Sequence, residues 1–210
     1  MANITAKMVQ ELREKTGAGM LDCKKALTDA EGDMDKAVKI LREKGLAAAA
    51  NRSGKQTAEG IVKIKSSDKR AVIVEVNSET DFVAKNENFL KFADDIVDII
   101  FTNKPADLNA LKNCKFGNTT VAEELTQFIA KIGENIQIRR FDIIESNQDE
   151  IIGQYIHAGG KIGVLLKLQL SDISKKETGD VKELLKDLCM QVAAAEPKYI
   201  SSKDVTQEDL

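Results

Sequence analysis

The sequence predicts an α+β fold in which a small helical module precedes a strand–strand–helix unit that occurs twice. Three observations carry this. In the first 45 residues, apolar positions recur three and four apart between capping residues and glycines, as in short amphipathic helices. From residue 60 onward, β-branched runs alternate with longer helical patterns. The pattern around residues 74–105 then returns 92 positions later: Val74 matches Leu166, Val76 matches Leu168, Asp95 matches Asp187, Ile96 matches Leu188, Ile100 matches Val192 and Pro105 matches Pro197. One offset shared by strand, helix and stop signal marks an internal duplication.

Taken in order, Thr5 can cap a first helix with Met8, Val9 and Leu12 on one face, and Thr16-Gly17-Ala18-Gly19 ends it. A second helix carries Leu21, Cys23, Ala26 and Leu27. Asp33 can cap a third, with Met34, Ala37, Val38, Ile40 and Leu41 inward, and Gly45 is expected to end it. The Ala-rich run from Leu46 frays into a linker near Ser53-Gly54. Residues 1–55 therefore read as a helical module with its linker.

Residues 56–145 read as the first core subdomain. Ile61, Val62 and Ile64 belong to one strand, residues 66–70 turn the chain, and residues 71–76 form a buried strand. A helix is expected over Phe89–Phe101, stopped at Lys104-Pro105, and Asn86 or Asn88 can cap it. Residues 106–118 are polar and yield no element. A helix from Thr120 to Ile132 precedes a half-buried strand over residues 136–141. Residues 146–210 form the second subdomain: strands over 151–156 and 162–170 joined by a turn at 157–161, then a helix over 181–194 that stops at Glu196-Pro197. This copy has no counterpart of the 120–132 helix or the 136–141 strand. It is expected to be incomplete at its C-terminal end, so that either the natural chain continues past Leu210 or another element covers the sheet edge.

Composition narrows the function. With 42% hydrophobic and 31% charged residues and a net charge of -3, the chain suits a globular protein and lacks the basic balance usual in nucleic-acid binders. Cys23, Cys114 and Cys189 are isolated, so metal and redox spacings are absent and a reduced, cytoplasmic setting is expected. No apolar run approaches the ~20 residues that span a bilayer. His157 is the single histidine, and neither a nucleophile elbow nor a nucleotide-binding glycine motif occurs. No catalytic residue, metal site or cofactor is expected, and a metabolic enzyme is disfavoured.

One connection has unusual chemistry. Thr80-Asp81-Phe82-Val83-Ala84-Lys85-Asn86 lies between a strand and a helix, where a rigid frame can display function. From spacing alone, Asp81 reads as a solvated turn acid and Phe82 as a cover over the core edge. The second copy has no Thr-Asp-Phe at this join, and Ser174 stands where Phe82 does in the first. The motif is therefore dispensable for folding the unit.

That stretch, together with Thr16-Gly17-Ala18-Gly19-Met20-Leu21-Asp22-Cys23-Lys24-Lys25-Ala26-Leu27 and Lys131-Ile132-Gly133-Glu134-Asn135-Ile136 followed by Arg139-Arg140, resembles the bacterial elongation factor Ts family, with the three pieces in family order. The resemblance implies a ubiquitin-associated-like three-helix module followed by two related α+β subdomains. Many family members carry a coiled coil and a C-terminal module beyond the second subdomain's helix, and this sequence stops before either.

The resemblance further implies a guanine nucleotide exchange factor that binds elongation factor Tu with GDP, displaces Mg²⁺ and promotes GDP release in translation elongation. Action would fall on GDP and Mg²⁺ held by that partner, with no direct role for nucleic acid or membrane. It puts Thr80, Asp81, Phe82 and Val83 at the step that dislodges Mg²⁺, with Phe82 as a wedge. Met20 and Leu21 would dock on the GTPase domain, although they could equally pack the small bundle. His157 and Gly159 would touch the partner away from the nucleotide, although a lone turn histidine also reads as ordinary surface. The alternative is a ubiquitin-associated-like binding scaffold without exchange activity, which rests on residues 1–45 alone and leaves Asp81-Phe82 unexplained.

Overall fold

Capped helices open the described chain, which in the computed structural model covers residues 3–209. Helix α1 (Ala6–Thr16) starts at Thr5, whose hydroxyl accepts the Met8 N–H. It ends at Gly17, where φ is 66°, a conformation that a Cβ would strain. Helix α2 (Met20–Asp29) follows, and α3 (Met34–Arg52) starts at Asp33, whose carboxylate accepts the Asp35 and Lys36 N–H groups.

The third helix differs from the sequence reading. It runs through Gly45 and ends only at Ser53. One helical glycine costs roughly 1 kcal/mol relative to alanine, and the Leu46–Ala50 run that follows has near-optimal helix propensity. Gly45 is buried, and a methyl there would meet Ala130 Cβ at 3.7 Å, an ordinary contact. The residue thus marks where α3 packs closely on a later helix, and what reads as a linker is the last two turns of α3.

Strands β1 (Glu59–Ser67) and β2 (Arg70–Ser78) are joined at Asp68-Lys69. A single helical turn, α4 (Asp81–Ala84), leads into α5 (Glu87–Asn103), which Asn86 caps by accepting the Asn88 N–H at 2.9 Å. The uncertain stretch holds α6 (Leu108–Asn113), capped by Asp107, and the two-residue strands β3 (Lys115–Phe116) and β4 (Thr119–Thr120). Such short pieces leave no periodicity to read. Helix α7 (Val121–Ile132) leads to β5 (Ile136–Glu145), and the described residues form a sheet in the order β1-β2-β5. Strands β6 (Glu150–His157) and β7 (Ile162–Gln169) pair antiparallel, with Gly153 opposite Leu166 and His157 opposite Ile162. Helix α8 (Gly179–Ala195) comes next, and two short 3-10 turns, Ser202–Asp204 and Gln207–Asp209, complete the described chain.

The duplication is visible in the element limits. Helix α5 begins at 87 and ends at 103; α8 begins at 179 and ends at 195, each 92 positions on. The cap before the join recurs as well: Thr80 caps α4, and Asp172 caps the 3-10 turn Ile173–Lys175.

The chain divides into two compact units. One comprises the residues up to Gly60, Val76–Phe92 and Pro105–Arg139; the other comprises Ile61–Glu75, Ala93–Lys104 and the residues from Arg140 onward. In the first unit, Val9, Leu12, Cys23, Ala26, Leu27, Ala30 and Ala37 make the bundle core, and α3 packs on α7. Phe92 stacks on Phe128 at 4.8 Å and lies 6.0 Å from Phe116. In the second unit, α8 lies on β6 and β7, and Gly153 leaves room for Leu185 and Cys189. Arg70 donates to Glu145 and to the Phe101 carbonyl, each at 2.9 Å, and Lys63 and Lys65 pair with Asp94 and Asp98 of α5.

Candidate functional site

The strand-to-helix join is built from the top of β2 outward. Extended backbone continues through Thr80, whose φ of -121° and ψ of 155° suit a cap, and the chain then turns once through α4. The Thr80 hydroxyl oxygen faces the Val83 N–H at 3.4 Å. Ala84 is buried and Val83 half-buried, so one side of the turn is anchored. The opposite side carries Phe82, whose ring is 83% exposed. A ring of that size left in water contributes nothing to the chain's own core, so it does not cover the core edge as spacing alone suggests.

Asp81 is not a free anion. Lys85 Nζ lies 2.7 Å from its Oδ2, one helical turn on. The lysine's hydrogen bond, then its charge, holds the Asp81 carboxyl below its ordinary range, and Asp81 in turn raises the lysine. An exposed pair of this kind adds little stability, but it keeps Asp81 ionised and occupied.

The turn is tied down from behind. Glu134 accepts the Thr80 backbone N–H at 3.0 Å and the Thr80 hydroxyl at 2.7 Å. Glu79 reaches the other way, accepting the Asn135 N–H at 2.6 Å, with Arg52 Nη1 3.5 Å from the same oxygen. Glu134 lies in the third of the three sequence pieces, but nothing in the sequence links it to a threonine 54 positions earlier.

Met20 and Leu21 stand on the first turn of α2, in the same unit as the join, and are 59% and 84% exposed. They do not pack the bundle; Cys23, Ala26 and Leu27 do. His157 ends β6 in the other unit, exposed, with Nδ1 2.8 Å from the Tyr155 hydroxyl. Gly159 occupies the following turn at φ 66°, with open space where a Cβ would point. Tyr155 as the partner of His157 follows the period of two along a strand, a signal available in the sequence. Among the described residues, no group of three or more His, Cys, Asp or Glu side chains is placed to hold a metal ion, and no helix is long and apolar enough to cross a membrane.

A helical module, a duplicated strand–strand–helix core and a turn that exposes an aromatic ring define the class as an α+β protein with a solvent-facing apolar ring. Comparison with known proteins gives it a family. The family profile described as Elongation factor TS matches residues 79–210. Elongation factor Ts of Nautilia profundicola is 51% identical over 207 residues, covering 98% of this chain and 67% of that protein. Elongation factor Ts of Clostridium perfringens is 50% identical over 210 residues, covering 99% of this chain and 68% of that protein. The chain belongs to the elongation factor Ts family, and its role is that of a translation elongation factor.

Proposed function

We propose that this chain is a guanine nucleotide exchange factor, not an enzyme with its own active site: it binds elongation factor Tu carrying GDP, displaces Mg²⁺ and promotes GDP release in the cytoplasm. The observation that carries this reading is Phe82, a large apolar ring standing in solvent on a turn whose other side is anchored. GTPases hold GDP through backbone amides around the phosphates and through Mg²⁺. A factor that binds the empty partner more tightly than the loaded one weakens GDP by the same factor, since the coupling is reciprocal. Burying one Phe is worth roughly 1.5–3 kcal/mol, which at about 1.4 kcal/mol per tenfold amounts to about ten- to a hundredfold of weakening if the burial occurs only in the empty complex.

The geometry supports one role for each of these residues. Phe82 is the wedge and Val83 its anchor. Thr80 caps the turn that carries both. Asp81 shares its Oδ2 with Lys85, so any influence on the metal's surroundings would come from a carboxylate already paired with a lysine. Met20 and Leu21 form an exposed apolar pair suited to docking on the GTPase domain, and His157 with Gly159 forms a second, polar contact. The division of labour we assign gives docking to residues 1–55, the wedge to residues 56–145 and the second contact to residues 146–210. No cofactor, nucleic acid or membrane enters, because the GDP and Mg²⁺ belong to the partner.

The test is Phe82→Ala in a stopped-flow assay of fluorescent GDP release from elongation factor Tu. An 83% exposed ring adds little to stability, so the variant keeps its fold and thermal midpoint. Its maximal release rate is expected to fall by about ten- to a hundredfold. An unchanged rate removes Phe82 from the mechanism.

A further inference from the structure

Two short links in the first unit hold one another. The first, Glu79-Thr80, joins β2 to α4; the second, Glu134-Asn135, joins α7 to β5. Gly133, at φ 80°, closes α7 by donating its N–H to the Ile129 carbonyl at 2.8 Å, and this fixes where Glu134 starts. From there both Glu134 oxygens reach Thr80, one to the N–H at 3.0 Å and the other to the hydroxyl at 2.7 Å. Glu79 accepts the Asn135 N–H at 2.6 Å in return, and the Asn135 side chain donates to the Lys55 carbonyl at 2.8 Å. Hydrogen bonds to a carboxylate are about twice as strong as neutral ones, and these carboxylates are half-buried.

The hydroxyl proton matters most. A threonine hydroxyl has one proton and two lone pairs. With the proton committed to Glu134, only lone pairs remain to face the Val83 N–H, which is the orientation a cap requires. Remove the carboxylate and the rotor is free to turn, while the Thr80 N–H loses its acceptor. The turn that carries Phe82 then has neither its cap direction nor its tether.

We propose that Glu134 is a positioning residue: by gripping Thr80 at both the amide and the hydroxyl, it fixes the direction in which α4 presents Phe82, and Glu79 completes a reciprocal clasp through Asn135. This rests on the exchange reading above, and goes beyond it by assigning the precision of the wedge to a residue 52 positions away that itself need not touch the partner.

The test compares Glu134→Ala, Thr80→Ser and the double variant Glu134→Ala with Phe82→Ala in the full chain. Two readouts are used: ¹⁵N order parameters at residues 81–84, and maximal and half-saturating values of fluorescent GDP release. In Glu134→Ala the order parameters are expected to drop from about 0.85 to below about 0.6. The maximal rate falls roughly tenfold with the half-saturating concentration within about twofold, the signature of a lost transition-state interaction rather than lost binding. Thr80→Ser keeps the hydroxyl and both hydrogen bonds to Glu134, so its order parameters at residues 81–84 are expected to stay at the parent value. Glu134→Ala adds nothing further in the Phe82→Ala background, because a residue acting through Phe82 has nothing left to act on. Unchanged order parameters, or a full additional loss in the double variant, overturn the proposal. If the parent chain releases no GDP, the exchange reading fails on its own, and the order parameters still decide whether Glu134 orients the turn.

Discussion

Gly153 shows how one side chain's absence sets a whole packing distance. A methyl built on it would lie 2.5 Å from Leu185 Cγ and 2.8 Å from Cys189 Sγ, so those side chains or α8 itself would have to shift. Gly153→Ala should therefore destabilise the second unit by about 1–3 kcal/mol, the usual cost of overpacking, seen as a lower urea midpoint. A midpoint within error of the parent would mean that α8 shifts freely. At this scale the sequence was partly legible. Phe82 and Asp81 stood out as an acid beside a ring, but their exposure did not, because a ring at a strand end has the same composition whether it caps a core or meets solvent. The clasp from Glu134 was invisible for a different reason: it is a contact between links far apart in the chain, and local periodicity carries no information about it. By contrast, Met20 and Leu21 leave two readings open from sequence; both side chains are exposed, and Cys23, Ala26 and Leu27 fill the bundle instead.

Helices and strands were the most legible level, and their ends the least. The apolar spacing predicts α5 over 89–101 and it spans 87–103; the alternation predicts that β5 stops at 141 and it runs to 145. The large error was α3, where a glycine that resembles a stop signal is a packing position instead. The two copies also differ in cover. Phe92 on α5 is 3% exposed against the α7 ring, whereas Leu184, its counterpart on α8, is 53% exposed, since among the described residues no second α7 stacks on it. Capping gives the element-scale prediction. The Lys36 N–H above all, with the Asp35 N–H and the charges of Lys36 and Lys39, holds the Asp33 carboxyl below its ordinary value of 3.8. A carboxyl depressed in the folded state contributes stability that is complete above its unfolded pKa and is lost as pH falls through the folded one. The urea midpoint should therefore decline on acidification below about pH 4, and Asp33→Asn, which can still cap but cannot titrate there, should make that decline shallower. An identical decline in both proteins would place the acid sensitivity elsewhere.

For the molecule as a whole, the 92-residue offset was the strongest signal in the sequence, and the element limits reproduce it from the capping residue to the last helical turn. What the duplication explains is economy of design: the same capped turn occurs at both joins, and only the first presents an aromatic ring, Phe82 against Ser174. A feature present in one copy and unnecessary for folding the other is free to serve a partner. The account thus depends on that surface acting upon a GTPase that this chain does not itself contain. The most direct measurement is the release of fluorescent GDP from elongation factor Tu with unlabelled GDP in excess, so that rebinding frees the chain, and with the chain added well below stoichiometry. The account predicts a release rate that rises in proportion to the chain's concentration and many turnovers per molecule; a rate equal to spontaneous release at every concentration would contradict it.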